Sequence, residues 1–395
     1  MSIQTQKYTD IDPGERILMG PGPSNVPARV LRAMSAPCIG HLDPYFLSIM
    51  DEIQDLLRFV FQTTNPLTMP MSGTGSAGME TCFVNLVEPG DEVLVCVNGV
   101  FGTRMSDIVN RLGGRLIRVE AEWGRAIDPD AVEQAIRGKS PKILAVVHAE
   151  TSTGAYTPLE DLAKIAHGAG AFFLVDTVTS LGGMEVAIDQ VGIDAVYSGT
   201  QKCLSCPPGL APISFSPAAV KALENRKTPV VSWYLDLNMV RSYWDQNRKY
   251  HHTAPVNMNY ALREALRLVA EEGLEARWAR HRLNHCALVA GIEAMGFSMR
   301  VPEAERLPML NAVTIPDGVN DKRVRAALLS EFGIEIGAGL GPLAGKIWRV
   351  GLMGHSSCQA NVLLFLSALE ILLKAEGHKV RPGGPEAAMA VYAKA

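Results

Sequence analysis

The sequence predicts an α/β protein, a mainly parallel sheet covered by helices and followed by a smaller α+β domain. Three observations carry that expectation. Short, unbroken apolar runs rich in β-branched residues recur between residues 93 and 215, as strands buried on both faces do. Stretches with apolar residues three and four apart alternate with those runs, the pattern of helices crossing over a parallel sheet. After about residue 260 the alternation stops and a long helical periodicity takes over. The chain has 395 residues, more than one small core needs, so two domains are expected.

Residues 1–17 read as an N-terminal arm. Met19-Gly20-Pro21-Gly22-Pro23-Ser24-Asn25 then forms a rigid turn, in which proline fixes φ and glycine lets backbone approach a ligand closely. Helical spacing runs from Pro44 to Phe61 through Phe46, Ile49, Met50, Ile53, Leu56, Leu57 and Val60. Met71-Ser72-Gly73-Thr74-Gly75-Ser76-Ala77-Gly78 opens a second helix. The buried runs follow at 93–97, 116–119, 143–147, 172–175, 195–197 and 211–215, with helices near 103–112, 129–137 and 158–168. Only a short turn precedes the last run, so that strand is expected to be antiparallel.

One long helix at 258–292 is expected to connect to the second domain. Strands at 312–315, 334–336 and 347–350 and helices at 321–332 and 359–375 complete it. The expected boundaries are 18–260 for the large domain and 261–380 for the small one with its connecting helix. A tail at 381–395 starts as the linker Arg381-Pro382-Gly383-Gly384-Pro385 and ends in a short helix.

Apolar residues make up 47% and charged residues 20% of the chain, which suits a packed core and argues against disorder. A net charge of −4 gives no reason to expect nucleic acid or an anionic membrane as partner. Seven scattered cysteines do not suggest a disulfide framework. No apolar run is long enough for a membrane span, and the polar N-terminus lacks the core of a signal peptide. A cytoplasmic protein is expected.

Two features carry chemistry. Gly73-Thr74-Gly75-Ser76-Ala77-Gly78 matches a dinucleotide fingerprint, but Pro66 and Pro70 make the preceding segment a poor central strand, and the strand at 93–97 leads to Asn98 rather than to an acid for a ribose. A phosphate cup at a helix start is favoured, over a dinucleotide site or a plain turn, since free N–H groups and the helix dipole hold a phosphate whatever the cofactor. The second feature is a pair of strand ends. Phe172–Val175 leads into Asp176, and Ala195–Tyr197 leads into Ser198-Gly199-Thr200-Gln201-Lys202.

In an open parallel sheet the carboxyl ends of the strands form the ligand crevice, so Asp176, Lys202 and the loop 148–154 share one rim. Lysine is rarely buried unless paired or chemically committed. An acid and a lysine so placed suit pyridoxal phosphate, one for the pyridine nitrogen and one for the Schiff base. Two solvated loop residues at strand ends remain the alternative.

The stretches SGTQKCLSCPPG at 198–209, VDTVTSLGG at 175–183, Gly20–Asn25 and Tyr250-His251-His252-Thr253 resemble the class V aminotransferases of fold-type I, nearest to the alanine–glyoxylate and serine–pyruvate types. The likeness covers about residues 17–375. It implies a large domain around a mainly parallel seven-stranded sheet, and pyridoxal 5′-phosphate as cofactor. Lys202 would carry the cofactor and move the substrate proton, and Asp176 would hold the pyridinium. Val178 and Phe101 would cover the two ring faces, Phe101 standing where the family often has tryptophan. Thr151 would bond the phenolic oxygen, and Thr74, Gly75, Ser76 and Gln201 the phosphate.

The resemblance also implies a homodimer, in which Tyr250 and Thr253 reach the neighbouring subunit's phosphate. Arg349 would grip the substrate carboxylate, its fork matching two oxygens, with the Gly22 backbone assisting. It implies transamination of alanine or serine with glyoxylate or pyruvate. Pyridoxamine–pyruvate or aspartate–glyoxylate transfer, or a cysteine desulfurase using Cys358, are the rivals within the fold. A non-catalytic dinucleotide-binding or scaffold protein is the rival outside it. Cys203 and Cys206 show a redox spacing but read better as small packing residues. His41 either lines the substrate mouth or is a loop residue. His251 and His252 lack a third metal ligand and read as interface packing.

Overall fold

The computed structural model describes residues 10–395. The arm expected over 1–17 falls mostly outside the described residues. Seven strands form the central sheet: β1 (Leu67–Ser72), β2 (Glu92–Val97), β3 (Arg115–Glu120), β4 (Ile143–Val147), β5 (Phe172–Asp176), β6 (Ala195–Tyr197) and β7 (Leu210–Phe215). Their order is β1-β7-β6-β5-β4-β2-β3. The pairs β6–β5, β5–β4, β4–β2 and β2–β3 are parallel. β7 runs antiparallel to both of its neighbours.

The six apolar runs are strands, and β4 is buried at every position. The seventh strand, β1, occupies the segment whose prolines argued against a central strand. It is an edge strand, where the missing N–H of Pro70 breaks no second ladder. Helices Pro44–Phe61 and Gly75–Leu86 pack on the sheet and place Phe46, Ile53, Leu57 and Phe83 in one large core. Asp43 caps the first of these helices by accepting the Tyr45 N–H at 2.8 Å, and Pro44 takes the first helical position, where it needs no donor.

A second core lies toward the C-terminus, with Leu288, Trp348, Phe365 and Leu369 fully buried in it. Its antiparallel sheet pairs Leu310–Thr314 and Gly337–Ala338 with opposite sides of Ile347–Gly351. Ile17–Leu18 pairs in parallel with Ile334–Glu335, which fastens the early chain to this half.

The single connecting helix expected at 258–292 is two helices, Val256–Glu272 and Leu274–Ala294. Gly273, at φ +82°, is the break, a conformation that favours glycine. The final helix, Gly384–Tyr392, packs against Leu274–Ala294, and the Tyr392 hydroxyl donates to Asn284 Oδ1 at 2.7 Å.

Candidate active site

Parallel strands deliver their carboxyl ends to one edge of the sheet. There Asp176 ends β5 and stands in register with Tyr197, the last residue of β6. The loop after β6 carries Lys202, which is buried, its Nζ donating to the Pro21 carbonyl. Gly22 makes this contact possible. At φ +104° it turns the backbone over the lysine stem, and a Cβ there would lie 2.6 Å from Lys202 Cδ. Burial pushes the Lys202 amine down to about 8; Arg349 adds to the effect, while Cys203, Asp176 and Glu150 oppose it.

Asp176 is 2% exposed. Its Oδ1 accepts the Val178 N–H at 2.8 Å and its Oδ2 the Tyr197 O–H at 2.7 Å. Burial still dominates and pushes its carboxyl up to about 7, against both hydrogen bonds. An acid with these properties is ready to pair with a proton-bearing group brought to it.

The glycine-rich stretch becomes the start of helix Gly75–Leu86. Thr74 is its N-cap in extended conformation, and its side chain makes no cap bond. The first N–H groups of a helix have no intrahelical partner, so the turn is a ready anion cup. Arg104 Nη1 donates to Ser76 Oγ at 3.0 Å, and its guanidinium lies 5.1 Å from the centroid of the Phe101 ring. Val178 Cγ2 lies 3.4 Å from where a Cβ on Gly75 would stand, so the valine sits against the cup. Gln201 leaves its buried Oε1 without a partner.

Glu150, wholly buried, organises the opposite rim. Its Oε2 accepts the Phe101 N–H at 3.1 Å, and its Oε1 accepts Ser152 N–H at 3.0 Å and Ser152 Oγ at 2.6 Å. Burial raises its pKa, with those bonds opposing. It thereby caps helix Val100–Arg111 from outside and holds Phe101. Arg349, on Ile347–Gly351, donates through Nε to the Ala338 carbonyl at 2.6 Å and through Nη1 to the Thr151 carbonyl at 3.1 Å. Burial lowers its pKa to about 10, with Glu150 opposing. Two nitrogens are thus anchored to backbone, and the Thr151 segment lies beside the guanidinium.

Tyr250 and Thr253 are exposed. Tyr250 is tilted against His41, ring centroids 5.2 Å apart. His251 and His252 place their Nδ1 atoms 2.9 Å apart, and His252 Nε2 lies 2.8 Å from Ser72 Oγ. Among the described residues no group of three metal-ligating side chains forms. Cys203 and Cys206 are buried free thiols, and Cys203 Sγ donates to the Thr179 carbonyl at 3.3 Å. Burial pushes Cys203 up to about 11. Cys358 lines a cavity with Leu204, Ser205, Arg280 and His355, apart from Lys202, Asp176 and Arg349.

Tyr197, Glu150 and Arg104 are parts of the site that the sequence reading does not single out. Glu150 falls within the rim loop 148–154, which is the one signal that pointed to it.

A buried lysine amine, a buried acid and an anchored arginine lie close enough to act on one another's charge, an arrangement suited to an enzyme that handles amino acids. Comparison with known proteins agrees. The family model described as aminotransferase class-V matches residues 17–363. The chain is 42% identical over 399 residues to the (S)-ureidoglycine–glyoxylate transaminase of Bacillus subtilis, with 96% of each chain covered. A crystal structure of ureidoglycine–glyoxylate aminotransferase from that organism aligns with a TM-score of 0.95 at 43% identity, covering 97% of this chain and all of that one. The structure of an alanine–glyoxylate aminotransferase from Nostoc sp. aligns with a TM-score of 0.91 at 49% identity, covering 94% of this chain and all of that one. The chain belongs to the class V aminotransferases.

Proposed function

We propose that this enzyme uses pyridoxal 5′-phosphate to transfer the amino group of a small amino acid, alanine or serine, to glyoxylate or pyruvate. The observation that carries the reading is the buried Lys202 amine, lowered to about 8, on the strand-end loop next to Asp176. The donor set fits the cofactor: an anion cup at 74–76 with Arg104 beside it, an acid for a ring nitrogen, and Val178 and Phe101 for the ring faces. When bound, the cofactor supplies an electrophilic carbon and an electron sink.

The chain's own residues do the rest. Arg349 and the Gly22 backbone hold the substrate carboxylate, and the held carboxylate orients Cα. Lys202, neutral at mildly basic pH, takes the proton from Cα and returns it on the other side of the transfer. Asp176, ionised, keeps a proton on the ring nitrogen, while Tyr197 steadies it. Thr151 serves the phenolic oxygen, and Thr74, Gly75, Ser76 and Gln201 the phosphate.

A second copy of the chain completes the site in this reading. Val231, Trp233 and Tyr234 leave an exposed apolar patch, and the Tyr234 hydroxyl donates to the Ser72 carbonyl at 3.2 Å, at the rim of the cup. A partner seated on that patch would bring its own 250–253 segment to the phosphate. The expected boundary at 260/261 falls inside helix Val256–Glu272, whose Ala261, Leu262, Leu266 and Val269 belong to the large core, while Met19 and Ala388 join the second. Free cysteines throughout suit a reducing cytoplasm, and among the described residues no helix is long and apolar enough to cross a membrane.

Because a relative at 42% identity is named for (S)-ureidoglycine, a ureido-bearing donor is the second reading. Half-reaction spectra with alanine, serine, (S)-ureidoglycine, aspartate and pyridoxamine, each followed by glyoxylate or pyruvate, decide between them. Rapid bleaching of the cofactor band by alanine or serine, restored by glyoxylate, is expected. Bleaching by (S)-ureidoglycine alone would replace the first reading with the second.

A further inference from the structure

The β5–β6 register ends at Asp176 and Tyr197, followed by two last bonds, the Thr177 N–H to the Tyr197 carbonyl at 2.9 Å and Ser198 Oγ to the Thr177 carbonyl at 3.0 Å. Beyond them, the chain runs into two separate loops, one carrying Val178 and the other Lys202. Arg277 joins them. Its side chain is buried, and each guanidinium nitrogen has a different acceptor. Nε donates to the Gly182 carbonyl at 2.9 Å, Nη2 to the Cys203 carbonyl at 2.5 Å and Nη1 to Glu272 Oε2 at 2.6 Å. Gly182 closes the turn that starts after Asp176, where Leu181 N–H meets the Thr177 carbonyl at 3.0 Å. Cys203 is the residue after Lys202.

The break at Gly273 builds this clamp. Glu272 ends one helix, and Arg277 and Arg280 lie one turn apart in the next. Glu272 therefore accepts from both, with Arg280 Nε at 2.6 Å and Nη2 at 3.0 Å. Arg280 Nη1 in turn donates to the carbonyls of Gly354 and Ser357 at 2.9 and 2.5 Å. One carboxylate thus anchors an arginine that holds the two active-site loops and another that holds the turn before helix Gln359–Ala375.

We infer that Arg277 is a positioning residue, which locks the Asp176–Gly182 turn to the Lys202 loop and so fixes where the amine stands relative to the group held by Asp176. The planar fork is essential, because a lysine presents a point charge that cannot span two carbonyls and a carboxylate. Misplacing a reacting group by about 1 Å can cost 10²-fold in rate. This inference rests on Lys202 being the cofactor lysine.

The test compares holoenzyme variants. Arg277→Lys keeps the charge and loses the span. Glu272→Gln loosens the carboxylate anchor that Arg277 shares with Arg280. Leu373→Ala truncates the C-terminal core without touching either loop and serves as the control for lost stability. Arg277→Lys is expected to lose about tenfold or more in kcat, with KM for the amino acid little changed, and to weaken the visible circular dichroism of the bound cofactor. Glu272→Gln should move both readouts the same way by less, and Leu373→Ala should move neither at temperatures where it is folded. Wild-type kcat and dichroism in both Arg277→Lys and Glu272→Gln would overturn the inference, as would equal losses in Leu373→Ala. A wild-type protein that binds no pyridoxal phosphate would overturn the reading of Lys202 instead.

Discussion

The Tyr197 hydroxyl donates to Asp176 Oδ2 at 2.7 Å across adjacent strand ends, and it is one of two hydrogen bonds that keep this buried acid able to ionise. Removing the hydroxyl leaves burial less opposed. The carboxyl of Tyr197→Phe should then titrate above its present value of about 7. In the proposed mechanism ionised Asp176 is the active form, so the acid limb of the pH–rate profile should move to higher pH. At neutral pH kcat should fall about tenfold, within the range for a hydrogen bond to a charged group. An unmoved acid limb would count against Asp176 as the ring partner.

Asp176 also bears on the stability of the cofactor-free protein. Its carboxyl is ordinary when unfolded and raised to about 7 when folded. Between those values the folded state binds the extra proton, so stability falls as pH rises through the window. Asp176→Asn removes that loss. Urea unfolding of the cofactor-free proteins should find Asp176→Asn more stable than wild type above pH 7, by up to about 4 kcal/mol. The two should converge near pH 4, and the variant should be inactive.

Arg349 has two nitrogens fixed on the carbonyls of Ala338 and Thr151. Arg349→Lys should lose both the anchoring and the fork. KM for the amino acid should rise about 10- to 100-fold, the range of a lost charge-assisted pair. The absorbance of the bound cofactor should stay close to that of wild type, because Arg349 reaches the proposed cofactor contacts only through the Thr151 carbonyl.

The Lys202 amine is lowered to about 8 by burial. It is protonated below that pH and nucleophilic above it. The rate at which cofactor-free protein takes up pyridoxal phosphate should climb with pH below about 8 and level off above it. Stopped-flow absorbance at pH 6 to 9 measures this, and a pH-independent rate would contradict the assignment.

Most strands from Val93 to Phe215 were legible because both faces are buried and the apolar runs are unbroken; β3, an edge strand with only Val119 buried and Arg118 in its run, is the exception. β1 was not, since Pro66 and Pro70 argue against a strand until the sheet edge that tolerates them is known. The break at Gly273 was hidden because apolar spacing continues through it, and one glycine inside a helical pattern is commonly tolerated. Asp176 stood out because it follows an apolar run directly, and Lys202 because it lies in the short polar segment that follows the next one. Glu150, Tyr197 and Arg277 did not, because what they do depends on distant partners: Phe101 lies 49 positions from Glu150, and Gly182 lies 95 from Arg277. No local pattern reports such pairings.

The central claim is that the Lys202 amine is the attachment point for the cofactor. Reducing the cofactor-loaded protein with borohydride, digesting it and mapping the modified peptide by mass spectrometry tests this directly. The account predicts a pyridoxyl phosphate adduct on Lys202 and none on Lys202→Ala. A stable adduct on a different lysine of the active protein, or none at all, would contradict it.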